Sequence, residues 1–414
     1  DRGLKRVHRS LGVVPAPFHL MPLTWASGKA CWVSDPEQAF IEGTVVSIDG
    51  SKATVAILGP DVAKGTQRKI DVKELLPRTL DTRGVGEMDT LEELHMASVL
   101  NNVEVLFGQT GITKPGTAPN AVYSAVGPVL IAMNPFCELP LFTDEWQKAY
   151  RSGSGDETRL APHCYRTAQE AYSRLVEVKH QSVVICGESG AGKTVTNRKM
   201  IEYLCNTSKS TKKNTGADPQ QITEANFLLE AFGNAKTTRN DNSSRFGKYT
   251  KLHFAPQEDL TINGCSVEHY LLERSRVVAQ PAAERNYHIF YQLLRSGAGK
   301  KYALEGGAEA YIYTKDGANV TGFDDAADFK ELVTSMTAAG MGEELQTEIF
   351  QGVAAVMHLG QVDFTGDKDS CKVSDNSVPL KEAAKLLGVP PAVLGKALTS
   401  SVIKAPGGNP ITKE

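Results

Sequence analysis

Gly187-Glu188-Ser189-Gly190-Ala191-Gly192-Lys193-Thr194 sets glycines, a lysine and a hydroxyl at the spacing G-x-x-x-x-G-K-[ST], the pattern of a loop that wraps phosphate. Glycines let successive backbone N–H groups converge on phosphate oxygens, and a helix starting at the end of the loop adds partial positive charge. At this spacing Lys193 reaches the β- and γ-phosphates of a nucleoside triphosphate, and the Thr194 hydroxyl ligates Mg²⁺. The loop needs a strand before it and a helix after it. Ser182-Val183-Val184-Ile185-Cys186 reads as a short buried strand, and Met200, Ile201 and Leu204 as the apolar face of the helix. A second run, Gly297-Ala298-Gly299-Lys300-Lys301, lacks the first glycine at the right spacing and the hydroxyl after lysine. It reads as an ordinary loop.

Asn240-Asp241-Asn242-Ser243-Ser244-Arg245-Phe246-Gly247 concentrates amides, hydroxyls and a guanidinium, a set suited to Mg²⁺ and a γ-phosphate. With Leu228-Leu229-Glu230-Ala231-Phe232-Gly233-Asn234-Ala235-Lys236-Thr237 before it and Lys248-Tyr249 after it, the segment closely resembles switch I of the myosin motor family. The phosphate loop is that family's version too. The resemblance continues, in the family's order, through Asn134-Pro135-Phe136, Ala161-Pro162-His163, Tyr270-Leu271-Leu272-Glu273-Arg274-Ser275-Arg276-Val277, Glu284-Arg285-Asn286-Tyr287-His288-Ile289-Phe290-Tyr291-Gln292-Leu293 and His358-Leu359-Gly360. It covers most of the chain. The sequence is identified as a member of the unconventional myosin heavy chains, its class left open.

That resemblance implies an α/β fold: a P-loop NTPase motor core with a partial twisted central sheet flanked by helices, preceded by a small SH3-like β-barrel. It also implies an actin-activated ATPase that couples Mg-ATP binding and hydrolysis to movement along actin filaments. Phosphoryl transfer to water depends chiefly on positioning and charge stabilisation. By similarity, Lys193 binds the terminal phosphates, Asn240 reaches the phosphate chain, and Thr194 and Ser244 ligate Mg²⁺. Ser243 helps place the lytic water. Asn134, Pro135, Phe136 and Phe142 stand on the adenine side, with Glu138, Phe142 and Val195 departing from the residues common in relatives. Glu138 is expected to find Arg198 or Lys199. Arg245 is expected to pair with a glutamate of a third element, switch II, which this sequence lacks, leaving the arginine without a partner. Asp363-Phe364-Thr365-Gly366 is a decoy for that element, because Asp367-Lys368 follows where Phe-Glu belongs. The expectation is thus a motor fragment ending before switch II, the relay helix and the converter, and inactive alone. Light chains or calmodulin would sit on a neck beyond it.

The elements that must position these residues fall into sections. Residues 1–24 read as a flexible leader: Arg2, Lys5, Arg6 and Arg9 precede an apolar stretch in the order of a secretion signal, but Pro15, Pro17 and Pro22 interrupt it. Residues 25–80 show short alternating segments with Asp49-Gly50 as a hairpin signal, and Trp32 is expected in the core of this SH3-like module. Residues 84–414 form the partial motor, divided into 84–222 with the phosphate loop and 223–414, an upper 50-kilodalton region with switch I. Helical segments are expected over 88–106 and a buried strand over 129–133. Ala168, Ala171, Tyr172, Leu175 and Val176 make an amphipathic helical stripe. Residues 206–219 and 366–378 read as surface loops, and Lys368, Lys372, Lys404 and Lys413 are candidate actin contacts.

Composition bounds the classes. A chain of 414 residues, 41% hydrophobic and 22% charged, buries a substantial core, and a net charge of -3 argues against a general nucleic-acid binder. Its 7 cysteines are scattered without C-x-x-C spacing, which indicates neither a disulfide framework nor a zinc site. A reducing compartment follows, with the cytoplasm and cytoskeleton implied by the resemblance. No apolar run approaches the roughly 18 residues of a transmembrane segment. A phosphate-loop kinase or small GTPase is disfavoured, because no Asn-Lys-x-Asp motif is present; a nucleotide-binding scaffold that does not cycle is the second reading.

Overall fold

The computed structural model describes residues 24–59, 62–78, 84–108, 122–152, 160–178, 180–208, 219–255, 260–367, 371–374, 376–403 and 411–413. Apart from Thr24, the expected leader lies outside them, as do most of the expected 206–219 loop and the candidate contacts Lys368 and Lys404. The chain divides into two compact units, Asp1–Ile131 and Ala132–Glu414.

In the first unit, β1 (Ala30–Asp35), β2 (Ala39–Asp49), β3 (Lys52–Leu58), β4 (Gln67–Asp71) and β5 (Leu76–Pro77) form one sheet in the order β4-β3-β2-β1-β5. Asp49 pairs with Lys52, so Gly50 and Ser51 make a two-residue hairpin turn as Asp49-Gly50 signals. One face carries the core of Cys31, Val33, Ile41, Val45, Ala53, Val55, Ile57 and Leu75. Trp32 is buried on the opposite face, since neighbours along a strand point opposite ways, and the Arg78 guanidinium lies 5.4 Å from its ring. The expected barrel does not close. The order leaves β4 and β5 as separate edges, and β5 is two residues long with Pro77 lacking a donor. Beyond the sheet come α1 (Met96–Gly108) and a hairpin of β6 (Tyr123–Val126) and β7 (Val129–Ala132). Val129 is exposed, so the buried strand expected there is a hairpin arm paired only with β6.

The second unit runs α2 (Asp144–Ser152), α3 (Cys164–Arg174), α4 (Lys193–Thr207), α5 (Pro219–Gly233), β8 (Asn234–Thr237), β9 (Asn240–Ser244), β10 (Gly247–Phe254), β11 (Ile262–Tyr270), α6 (Ser275–Val278) and α7 (His288–Arg295). It continues with α8 (Asp325–Ala338), α9 (Glu343–Gly360), β12 (Phe364–Gly366), β13 (Cys371–Val373), α10 (Val378–Leu386), α11 (Pro391–Thr399), β14 (Ser401–Ile403) and β15 (Ile411–Lys413). Its largest core gathers Leu228 and Ala231 of α5, Ile289, Phe290, Leu293 and Leu294 of α7, Leu332 and Met336 of α8, and Phe350, Ala354 and Met357 of α9. Helix α7 is buried from His288 to Leu294 and forms the hub. The stripe at Ala168 is shorter than expected: α3 ends at Arg174, and Val176 is exposed. The 366–378 stretch contains β13 paired to β12 and so is a hairpin as well as a loop.

The expected central sheet is not assembled among the described residues. Strands β8 to β15 pair as two-stranded hairpins, with one isolated bridge from Ala235 of β8 to Tyr287. Residues 182–186 form no strand, and Val184 is 87% exposed. A strand buried inside a parallel sheet is hydrogen-bonded on both edges, and no described strand pairs with this segment. The run expected to be an ordinary loop contains a short 3-10 turn, Ala298–Tyr302, and the decoy residue Asp363 follows the end of α9, at which the His358-Leu359-Gly360 motif sits.

Candidate functional site

Helix α4 begins directly after the glycine loop, and three contacts fix its direction. Ile201 and Cys205 pack with Ile262 of β11, Tyr203 stacks on Tyr165 of α3 with ring centroids 4.7 Å apart, and Asn206 donates to Gln147 Oε1 of α2 at 3.0 Å. Met200 and Ile201 are buried as their spacing predicts. Gly190 (φ 83°) and Gly192 (φ 91°) take left-handed backbone that side-chain-bearing residues avoid. Gly192 caps the helix without a side-chain acceptor, leaving the first N–H groups of α4 to an outside partner. Lys193 folds back over the loop, its Nζ donating to the carbonyls of Gly187 and Glu188, both at 2.7 Å.

The Asn240 to Ser244 segment is strand β9 of a hairpin with β8, which continues straight from α5. Its anchors are specific. The Arg285 N–H donates to the Lys236 carbonyl at 3.1 Å, the Thr238 N–H to Glu284 Oε1 at 3.2 Å, and the Arg245 N–H to the Gly233 carbonyl at 2.9 Å. Asn242 Oδ1 accepts from Asn234 Nδ2 at 3.0 Å and lies 3.2 Å from His288 Nε2, which therefore carries the proton. Burial, followed by the Arg285 charge, pushes the His288 imidazole down to about 4, so it stays neutral near pH 7.

Loop and hairpin meet. Ser189 Oγ lies 2.6 Å from Ser243 Oγ, and the exposed pair Arg239 Nη1 and Glu188 Oε2 closes at 3.1 Å. A Cβ built on Gly190 would come 3.7 Å from the Arg239 carbonyl oxygen and 3.9 Å from Asn240 Cβ. Asn134 Nδ2 donates to the Gly190 carbonyl at 2.6 Å, and its Oδ1 accepts the Phe136 N–H at 3.0 Å. The structure therefore gathers Asn134, Gly187, Glu188, Ser189, Gly190, Lys193, Asn240 and Ser243. Phe136 is 82% exposed and turns away, at φ 50°. Phe142 joins an aromatic group with His163 (5.8 Å) and Tyr165 (6.0 Å), under the Lys199 ammonium at 5.4 Å. Lys199 pairs with Glu202 at 3.0 Å, so the lysine expected for Glu138 is already engaged.

Strand alternation separates the two serines of the hairpin. Ser243 is buried against the loop, whereas Ser244 is exposed on the other side of β9. Among the described residues neither the Thr194 nor the Ser244 hydroxyl makes a side-chain hydrogen bond, so both oxygens remain available to a hard cation. No group of three or more His, Cys, Asp or Glu among the described residues could hold a metal, so such a cation would rest on hydroxyls and phosphate.

The expectation that Arg245 lacks a partner is overturned. Its Nε donates to Glu273 Oε2 at 2.7 Å, and its Nη1 lies 3.5 Å from Ser243 Oγ. The same Glu273 oxygen accepts Arg276 Nε at 2.6 Å, and Arg276 Nη1 pairs with Glu284 at 2.9 Å. Burial pushes the Glu273 carboxyl up, but the bonds from Arg245 and Arg276 outweigh it and hold the group below its ordinary range. This chain of alternating charge runs from the end of the hairpin to the carboxylate that holds its turn. In the sequence Glu273, Arg276 and Glu284 are charged residues inside family motifs, with nothing local to mark a role. Only the return of the chain through α6 and α7 brings them to the hairpin.

A glycine loop capping a helix, bridged to a polar hairpin within a mixed helix-and-sheet chain, is the class that fold and site define. The sequence matches the family described as Myosin head (motor domain) over residues 85–413 and that described as Myosin N-terminal SH3-like domain over residues 20–74. The chain belongs to the myosin head family. It is 34% identical to Myosin-52 of Schizosaccharomyces pombe over 91% of this chain and 26% of that protein. It is 36% identical to human (Homo sapiens) unconventional myosin-Vc over 86% of this chain and 20% of that protein, and 41% identical to unconventional myosin IC of Drosophila melanogaster over 69% and 28%. The chain thus spans 26%, 20% and 28% of the length of these relatives. No helix among the described residues is long and apolar enough to cross a membrane.

Proposed function

We propose that the protein carrying this chain is an actin-based motor that binds and hydrolyses Mg-ATP in the site between the glycine loop and the β8–β9 hairpin. The observation that carries this reading is the Ser189–Ser243 contact at 2.6 Å, which sets a phosphate-type loop against a hairpin rich in amides and hydroxyls. Lys193, now spending its donors on two loop carbonyls, exchanges them for terminal phosphate oxygens. The open N–H groups of α4 hold the same charge, and Asn240 reaches the phosphate chain. Ser243 orients the attacking water, and Arg245 answers the charge that develops on the transferred group. Thr194 and Ser244 would hold Mg²⁺, which supplies charge neutralisation of the phosphate oxygens. Ser244 must turn from the exposed face of β9 to do so, which makes the hairpin the moving part. Asn134, Pro135, Phe136 and Phe142 form the adenine side in this reading.

The family membership supports actin filaments as the track and the cytoplasm and cytoskeleton as the location. Lys372, exposed on β13, is the candidate contact whose surroundings are described. Light chains or calmodulin would bind a neck outside residues 1–414. The test is steady-state ATP turnover by the full-length protein with and without actin filaments. Actin-activated turnover that Lys193→Ala removes is the expected result. Tight nucleotide binding without turnover would instead assign a scaffold that does not cycle.

A further inference from the structure

We propose that Glu273 is the positioning residue of Arg245: it grips the guanidinium by its Nε edge and so keeps the Nη edge turned toward Ser243 and the phosphate loop. This inference rests on the proposed function. The geometry carries it in three steps.

First, both partners are fixed by their backbones. The Glu273 N–H donates to the Arg245 carbonyl at 2.9 Å, and the Tyr287 hydroxyl donates to the Glu273 carbonyl at 2.8 Å. The carboxylate is presented rigidly beside the arginine. Second, the bonds divide the guanidinium by direction. Nε is used on Glu273 at 2.7 Å, while Nη1 lies 3.5 Å from Ser243 Oγ, itself 2.6 Å from Ser189 Oγ of the loop. An arginine has a planar fork of donors, so fixing one edge fixes where the other points. Third, Glu273 is not needed to neutralise Arg276. That guanidinium is 3% exposed and has Glu284 as a second carboxylate at 2.9 Å. What Arg276 does is steady Glu273, whose Oε2 it shares with Arg245.

A residue acting through Arg245 alone has a particular signature, because removing it after Arg245 is gone costs nothing more. The complete motor carrying this chain is prepared as wild type, Glu273→Ala, Glu273→Gln, Glu273→Asp, Arg245→Ala and the Arg245→Ala/Glu273→Ala double variant. The hydrolysis step is followed by quenched flow in single turnover, and affinity by a fluorescent ATP analogue. Glu273→Ala should slow hydrolysis by about ten- to a hundredfold through misorientation of the guanidinium, with affinity much less affected. Glu273→Asp should recover part of the rate, and the double variant should hydrolyse no more slowly than Arg245→Ala alone. Should Glu273→Ala fail to fold, Glu273→Gln keeps the volume and an acceptor for Nε and should fall between wild type and Arg245→Ala. Wild-type hydrolysis in the Glu273 variants, or a double variant slowed by the product of the single effects, would overturn the assignment while leaving the proposed function standing. A wild-type motor that binds ATP without cleaving it would overturn the function, and this inference with it.

Discussion

Ser189 Oγ and Ser243 Oγ stand 2.6 Å apart, one hydroxyl donating to the other across the gap between the glycine loop and β9. Ser243 is 3% exposed, so this hydroxyl contact is shielded from water. Alanine at either position removes the same hydrogen bond, worth about 1 kcal/mol. In the proposed function only Ser243 also orients the attacking water. In the full-length motor, Ser243→Ala should therefore slow the hydrolysis step more than Ser189→Ala does, as measured by quenched flow. Equal rates in the two variants would remove the water-placing role from Ser243.

Lys193 and Arg245 should fail at different steps. Lys193 caps the loop carbonyls where terminal phosphates would come, whereas Arg245 is held to one side by Glu273. Lys193→Ala is expected to abolish most triphosphate affinity, and Arg245→Ala to spare binding and suppress cleavage. Transient kinetics that block both variants at one step would contradict this division.

Stability near α8 depends on a buried ion cluster. Arg285 is 0% exposed and its Nη2 donates to both oxygens of Asp325, at 2.7 and 2.8 Å, while Arg295 reaches the same carboxylate at 2.8 Å. Tyr291 and Phe323 cover the Arg285 guanidinium at 3.9 and 4.2 Å. Removing the single acid strands a buried positive charge, a loss of about 3–5 kcal/mol. Asp325→Ala should show that loss in urea unfolding. Because the Arg285 N–H also holds Lys236 of β8, hydrogen exchange in the hairpin should quicken as well.

Acid should weaken the fold through His163. This residue caps α3, its Nδ1 accepting the Tyr165 N–H at 3.0 Å, and its ring is stacked by Trp146 at 5.2 Å and Tyr150 at 5.0 Å. Burial pushes it down to about 3. An unfolded histidine titrates near about 6.5, so below that pH the unfolded chain binds a proton that the folded one refuses. Its contribution is therefore lost as pH falls from about 6.5 toward 3, at up to about 1.4 kcal/mol per pH unit. His288 acts in the same direction down to about 4. His163→Asn keeps a cap acceptor but cannot titrate. Urea unfolding across this window should show a shallower dependence of stability on pH in the variant; an unchanged slope would exclude His163 as a source.

Local chemistry makes the glycine loop and its helix legible in the sequence. The glycine loop could be read because positive φ, a helix start and a following lysine and hydroxyl are all encoded within a few adjacent residues, as Gly190, Gly192 and Lys193 show. The burial of Met200 and Ile201 on α4 and the turn at Gly50 were legible for the same reason. Family resemblance added the hairpin residues, but as a set of roles and not as a geometry. What failed were statements requiring a partner: the barrel, which needed both edges to meet, and the strand at 182–186, which needed neighbours on both sides.

From the sequence alone came the loop, its helix, the hairpin turn and the membership that these motifs imply, because each rests on backbone preferences and side-chain spacing within one short segment. The tertiary structure alone decided that Arg245 belongs to Glu273, that Asn134 holds the Gly190 carbonyl, and that Ser243 and Ser244 face opposite ways. The two contacts join residues separated by 28 and 56 positions, and the serine faces follow from β9 pairing with β8. No local propensity encodes such distances. Packing of α7 against α5 and β8 holds the hairpin in place, and charge and hydrogen-bond geometry then select the partner of Arg245.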